Sequence, residues 1–167
     1  ASSGIGRATA LALGRERASV VAVGRDAGAL NQVAAGIREC AIVSVDVTVD
    51  GAAARIVGAA LNAFGGIDVL VNAAGIIGSG GIETTGDEMW DTMFAINVRA
   101  PFRLMREAAP HLVARRGAIV NVSSVTGLRA FPGLAAYCAS ESAVAQLARC
   151  AAPDPAPDGA RANAGNP

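Results

Sequence analysis

Few side chains in this sequence can move a proton. Tyr137 is the only tyrosine and His111 the only histidine in 167 residues, and His111 falls inside a stretch patterned as helix, so acid/base chemistry has few places to occur. Tyr137 follows Ser124 by thirteen positions, which sets a hydroxyl just past a strand and a phenol at the start of the next helix. Such a pair suits activation of a substrate oxygen. Without other motifs, however, one serine and one tyrosine are better explained as surface decoration.

A second group of residues suits anion binding. Ser2-Ser3-Gly4-Ile5-Gly6 runs into an amphipathic helix carrying Ala8, Leu11 and Ala12. Glycines let the backbone approach a pyrophosphate, and the free N–H groups with the positive helix end stabilise its charge; a plain turn explains the segment equally well. Arg25, directly after the next strand, stands where a dinucleotide fold reads the adenosine ribose. Gly24 leaves no carboxylate at that strand end for a 2′-hydroxyl, whereas Arg25 can pair with a 2′-phosphate, so NADP(H) is favoured over NAD(H). Asp46 is placed either to bind the adenine amino group or to cap its own turn. Asn72-Ala73-Ala74-Gly75 ends a further strand with small residues, at the carboxyl edge where open α/β sheets bind ligands; a strand-to-loop turn would look much the same.

These residues need a scaffold of alternating elements. Short β-branched runs alternate with longer Ala/Leu segments, the pattern of βαβ units and a parallel sheet. The pattern predicts strands at Ser19–Val23, Ala41–Asp46, Ile67–Asn72 and Ala118–Ser123, nearly continuous in apolar residues because helices cover both faces. Helices are predicted at Ile5–Arg17, Ala27–Arg38, Gly51–Phe64, Gly86–Arg115 with a break near Pro101, and Ala135–Cys150. Pro153, Pro155 and Pro157 forbid that last helix from continuing. No repeat or linker divides the chain, so 1–167 is read as one domain.

Composition narrows the partners. Apolar residues make up 52% of the chain and charged residues 17%, enough for a core and too few charges for disorder. Fourteen basic and fourteen acidic groups give a formal charge of zero. With no basic run beyond Arg115-Arg116, neither nucleic acid nor an anionic membrane is an expected partner. Cys40, Cys138 and Cys150 form no CxxC pair and leave one unpaired, which argues against a disulfide framework or a metal site and for a reduced, cytoplasmic setting. No apolar run reaches the roughly 18 residues of a membrane span. Every basic residue is arginine; there is no lysine at all.

Taken together, Ala1-Ser-Ser-Gly-Ile-Gly6, Asn72-Ala-Ala-Gly75, Ile96-Asn97-Val98, Ile119-Val-Asn-Val-Ser-Ser124 and Ala136-Tyr-Cys-Ala-Ser140 resemble, in order and spacing, the short-chain dehydrogenase/reductase family. The resemblance covers essentially the whole chain. It implies a doubly wound, Rossmann-like parallel sheet and hydride transfer between nicotinamide and a ketone or secondary alcohol. It further implies that Ser124 hydrogen-bonds the substrate carbonyl, that Tyr137 is the general acid/base, and that Asn97 holds a relay water at a break in its helix. Ser2, Ser3, Gly4, Ile5, Gly6, Arg25, Asp46, Val47, Asn72, Ala73, Ala74, Gly75 and Tyr137 are the implied dinucleotide contacts. A homo-oligomer is implied for the longer parent, with the helices around Phe102–Val113 and Ala135–Cys150 as its contact pair.

Three departures from the family pattern bear on function. The Tyr-x-x-x-Lys motif reads Tyr137-Cys-Ala-Ser-Glu141. An i, i+4 pair shares a helix face, so the absent ammonium would have stood beside the tyrosine and favoured its ionised form; Glu141 does the reverse, unless it turns to solvent. The strand expected between Ser19–Val23 and Ile67–Asn72 is missing, which leaves two sheet fragments without a shared neighbour. Finally, Gly159–Pro167 resembles the family's next strand and its Pro-Gly turn but stops before the substrate-covering region, with Ala160, Ala162 and Gly165 where larger aliphatic residues are usual. The chain is therefore read as an internal, incomplete piece of a longer reductase. Three functions follow: an oxidoreductase core, a dinucleotide-binding pseudoenzyme, or an interaction module without chemistry.

Overall fold

The computed structural model describes residues 1–151 and 161–165. Two compact units divide the chain, Ala1–Ile67 and Asp68–Pro167.

In the first unit, β1 (Val20–Gly24) and β2 (Cys40–Ser44) pair in parallel, from Val20 opposite Cys40 to Gly24 opposite Ser44. Parallel neighbours need a crossover, and α2 (Ala27–Ala34) supplies it. The core gathers Ala10 from α1 (Gly4–Arg15), Val20 and Ala22 from β1, Leu30 and Val33 from α2, and Ile37. α3 (Ala52–Phe64) packs on the same two strands, with Ile56 and Val57 buried. α2 is shorter than the expected Ala27–Arg38. After Ala34 the amides of Gly36 and Ile37 turn back to the carbonyls of Val33 and Ala34 at 3.1 and 3.0 Å, the tight bonding that closes a helix. β2 likewise ends at Ser44, because Asp46 is drawn into a turn of its own.

The second unit carries β3 (Val69–Asn72), β4 (Ala118–Val122) and β5 (Arg161–Gly165) as a parallel sheet in the order β3-β4-β5. No strand pairs β1 with β3 among the described residues, in line with the expected gap between them. β5 forms although three of its five residues are alanine or glycine. Its partner dictates the outcome, since β4 presents a full ladder from Ala118 opposite Arg161 to Val122 opposite Gly165. α6 (Ala135–Ala151) packs against β4 and β5. Pro153, Pro155, Pro157, Ala160 and the Pro-Gly turn at Asn166-Pro167 lie outside the described residues.

The long helix expected over Gly86–Arg115 is interrupted just before Pro101, as expected, and the interruption is a π turn. It runs as α4 (Asp87–Phe94), a π turn at Ala95–Arg99 and α5 (Ala100–Arg115), with Pro101 in the first turn of α5. Proline cannot donate the next intrahelical bond. The preceding turn widens instead, and the Ala100 amide reaches back five residues to the Ala95 carbonyl.

Candidate active site

The first unit presents the groups expected around a dinucleotide's phosphates and adenosine. α1 begins at Gly4, whose φ of +55° lies in the left-handed region that favours glycine. Ser3 precedes it in an extended conformation and makes no side-chain cap bond, so the first-turn N–H groups keep no intrahelical acceptor. Ser3, Gly4 and Ile5 are exposed, and Ser2 and Gly6 half-buried. An uncapped, exposed N-terminus of this length fits a pyrophosphate. Before it, Ala1 N donates to the Val23 carbonyl of β1.

At the carboxyl ends of β1 and β2, Arg25 lies 4.0 Å from Asp46 Oδ2, with the arginine side chain 76% exposed. Asp46 Oδ1 accepts from the Thr48 amide at 2.9 Å and the Thr48 hydroxyl at 2.7 Å. These bonds, more than Arg25, hold the Asp46 carboxyl below its ordinary range. The turn-capping role weighed for Asp46 is thus present, and Oδ2 still faces the arginine. Val47 follows, half-buried. Asp26, the nearest carboxylate after β1 in sequence, is engaged as the N-cap of α2, where it accepts from Ala29 N at 2.9 Å.

The second unit holds the groups expected to do the chemistry. Asn72 ends β3, 6% exposed, and donates to Asn121 Oδ1 of β4 at 2.8 Å; its own Oδ1 has no partner among the described residues. Ala73, Ala74 and Gly75 lead on to Ile76, whose amide and carbonyl are both bound by Asn97, each at 2.9 Å. Asn97 belongs to the π turn and is 3% exposed. Its second Nδ2 hydrogen goes to Ser140 Oγ at 3.1 Å, and Ser140 donates to the Tyr137 carbonyl at 2.9 Å. Both amide hydrogens are therefore used. A relay water would have to bind the Asn97 main-chain carbonyl, to which residue 101, being proline, has no N–H to offer.

β4 delivers Ser123 and Ser124 to a 3-10 turn at Val125–Gly127, which Ser124 Oγ caps by accepting from Thr126 N at 3.3 Å. Tyr137 lies in the first turn of α6, half-buried, with no hydrogen bond on its hydroxyl among the described residues. No bond joins it to Ser124. Glu141, one turn on, does not turn to solvent: it is 6% exposed, and Oε2 is buried without a partner. Burial pushes its carboxyl pKa up, opposed in part by the nearby Ser123 hydroxyl. That hydroxyl also donates to the Glu141 main-chain carbonyl at 3.1 Å.

The segment after Gly75 meets the residues that open α6. Gly80 pairs with Leu134 in an isolated bridge, through Gly80 N to the Gly133 carbonyl at 2.7 Å and Ala135 N to the Gly80 carbonyl at 2.9 Å. A cavity of about 210 Å³, lined in part by Thr126, Arg129, Cys138 and Ser142, lies beside α6; neither Ser124 nor Tyr137 lines it. Sequence reasoning missed Asn121, Ser123 and Ser140. A buried asparagine inside an apolar strand was a signal for the first, and a serine three residues after Tyr137 for the last.

Comparison with known proteins agrees with this geometry. A family model described as short chain dehydrogenase matches residues 1–167. A 3beta-hydroxysteroid dehydrogenase of Mediterraneibacter gnavus is 39% identical over 169 residues, covering 98% of this chain and 61% of that protein. A 2-(R)-hydroxypropyl-CoM dehydrogenase of Xanthobacter autotrophicus is 44% identical over 126 residues, 73% of this chain and 50% of its own. From the same organism, a protein named inactive 2-(S)-hydroxypropyl-CoM dehydrogenase 2 is 40% identical over 151 residues, 89% of this chain and 66% of its own. The chain thus spans only half to two thirds of these relatives. A short-chain dehydrogenase/reductase of Caenorhabditis elegans, solved with cofactor, superimposes with a TM-score of 0.93 at 35% identity, covering 99% of this chain and 66% of that one. With motifs, strand order and a match along its whole length in agreement, the chain belongs to the short-chain dehydrogenase family, whose members bind a nicotinamide dinucleotide.

Proposed function

We propose that the chain carries the cofactor-binding and catalytic core of an NADP(H)-dependent oxidoreductase that interconverts a ketone and a secondary alcohol. The observation that carries this reading is Tyr137, held at the start of α6 with its hydroxyl free of partners among the described residues. The names of two relatives, a hydroxysteroid dehydrogenase and a hydroxypropyl-CoM dehydrogenase, support alcohol and ketone as the substrate class.

Each residue has a defined task in reduction. The first-turn amides after Ser2 and Ser3 stabilise the pyrophosphate, and Arg25 pairs with a 2′-phosphate. The Asn72–Gly75 segment offers a close main-chain edge to the dinucleotide. A bound nicotinamide supplies the hydride to the carbonyl carbon. Ser124 donates a hydrogen bond to the carbonyl oxygen, and Tyr137 gives that oxygen its proton as negative charge develops there. Tyr137 would then regain its proton from solvent water, which the Asn97 main-chain carbonyl could hold by accepting a hydrogen bond, rather than through a lysine. The expected partners are a small carbonyl or alcohol and further copies of the same protein. Three free thiols suit a reducing compartment such as the cytoplasm.

A second reading, dinucleotide binding with little turnover, is favoured by the burial of Glu141 where the motif has a cation. Titrating NADPH while following its fluorescence, then adding a panel of ketones, separates the two. Saturable binding with ketone-dependent NADPH oxidation supports the reductase; binding without oxidation supports the second reading. No saturable change in fluorescence sinks both.

A further inference from the structure

Ser140 is fully buried, at 0% exposure, and its hydroxyl bridges two elements. A hydroxyl has one hydrogen to give. Here the geometry directs it to the Tyr137 carbonyl at 2.9 Å, three residues back, and leaves Oγ to accept from Asn97 Nδ2 at 3.1 Å. The first bond is the common back-bonding of a helical serine and is local. The second joins α6 to a residue 43 positions away in the π turn. Asn97 is itself fixed, because its amide also holds both main-chain groups of Ile76. A rigid path therefore runs from the end of the Asn72–Gly75 segment through the Asn97 amide and the Ser140 hydroxyl to the backbone of Tyr137.

We propose that Ser140 is a positioning residue, whose hydroxyl ties the first turn of α6 to the π turn and so sets where the Tyr137 phenol stands. This rests on the reading of Tyr137 as the acid/base above. Removing the hydroxyl strands a buried Asn97 N–H and frees the Tyr137 carbonyl, so the turn can shift without any change in the groups that meet a substrate or a dinucleotide. A serine that only filled space would lower the melting temperature of its alanine variant and leave the tyrosine where it was.

The single tyrosine permits a direct test. Protein grown with 3-fluorotyrosine gives one fluorine resonance, that of position 137. Ser140→Ala moves that resonance, Asn97→Ala moves it the same way, and the double variant moves it no further than either alone. Ser140→Thr, which restores the hydroxyl, returns it toward the wild-type position; if melting curves show that threonine does not fold, Ser140→Cys gives a partial return. In the same samples kcat for ketone reduction falls about tenfold in Ser140→Ala, the scale of one lost hydrogen bond, with KM and NADPH affinity unchanged. A Ser140→Ala resonance at the wild-type position, or additive shifts in the double variant, overturns the proposal. If the resonances behave as stated while wild-type protein reduces no ketone, the positioning role stands and the reductase reading fails.

Discussion

Glu141 decides more about this site than any other side chain. An exposed glutamate would place a full negative charge one helical turn from Tyr137. Buried, with Oε2 unpartnered and its pKa raised, it stays neutral over a wider range of pH. The motif cation is thus absent at every pH, whereas an opposing anion appears only as pH rises through the raised value. Carbonyl reduction by Glu141→Gln should match wild type at low pH and exceed it at high pH. Glu141→Lys should exceed both by about tenfold or more, since one unit charge at partly solvated separation is worth roughly 1–4 kcal/mol; initial rates of NADPH oxidation across pH check this. Stability follows the same sign. A carboxyl whose folded pKa is raised contributes stability that is complete below its unfolded pKa and lost as pH rises through the folded one. As pH rises above the ordinary carboxylate range, melting temperatures should therefore fall more steeply for wild type than for Glu141→Gln. At the first unit, Arg25→Ala should weaken NADPH binding by about tenfold or more and leave NADH binding nearly unchanged, because only the 2′-phosphate needs a guanidinium. Equal losses for both dinucleotides in a fluorescence titration would remove Arg25 from cofactor discrimination. The type and order of these residues were legible in the sequence. The burial of Glu141 was not, since its neighbours Ser123 and Gly127 are distant in the chain.

The elements that carry these side chains were legible wherever periodicity was strong, and less so where a single bond decides an end. Four of the five strands fall within two residues of their expected positions, and α6 begins at Ala135 as expected. The interruption around Asn97 was expected, but its form as a π turn was not: Pro101 signals a break without saying how the preceding turn accommodates it. One sharp constraint acts where α5 hands over to β4. Arg116 closes α5 with φ +51°, and the Gly117 amide bonds to the Leu112 carbonyl at 2.8 Å. A Cβ on Gly117 would lie 2.5 Å from the Asp68 carbonyl oxygen and 2.8 Å from Leu112 Cδ2. The first obstacle is backbone and cannot step aside. Gly117→Ala should destabilise the protein by about 1–3 kcal/mol, as overpacking does. Urea unfolding monitored at Trp90 measures it, and an unchanged midpoint would mean that the junction is looser than its contacts imply. Since β4 leads into Ser123 and Ser124, the same variant should also lower ketone reduction.

At the scale of the whole molecule, the sheet topology creates a hazard. The missing neighbour expected between β1 and β3 has its counterpart in two sheets, β1-β2 and β3-β4-β5, that share no ladder among the described residues. Among the described residues, β3 is thus at an edge of its sheet. It is short and apolar, Val69-Leu70-Val71-Asn72, with Val69 48% exposed. An edge row of unpaired N–H and C=O groups beside exposed valine is a template for another chain, and natural edges are usually blunted by charge, proline or a bulge. β3 has none of these within its four residues; Asp68 precedes it, but that carboxylate already faces Arg115 at 3.7 Å. This chain should thus self-associate through β3 as its concentration rises, seen as growing light scattering at constant temperature. Val69→Lys places a charge on the exposed edge position without entering the core, so it should suppress that scattering while leaving the unfolding free energy within about 1 kcal/mol of wild type. Scattering that is unchanged by Val69→Lys would place the association elsewhere, with the exposed Phe102 and Val113 of α5 the next surface to charge.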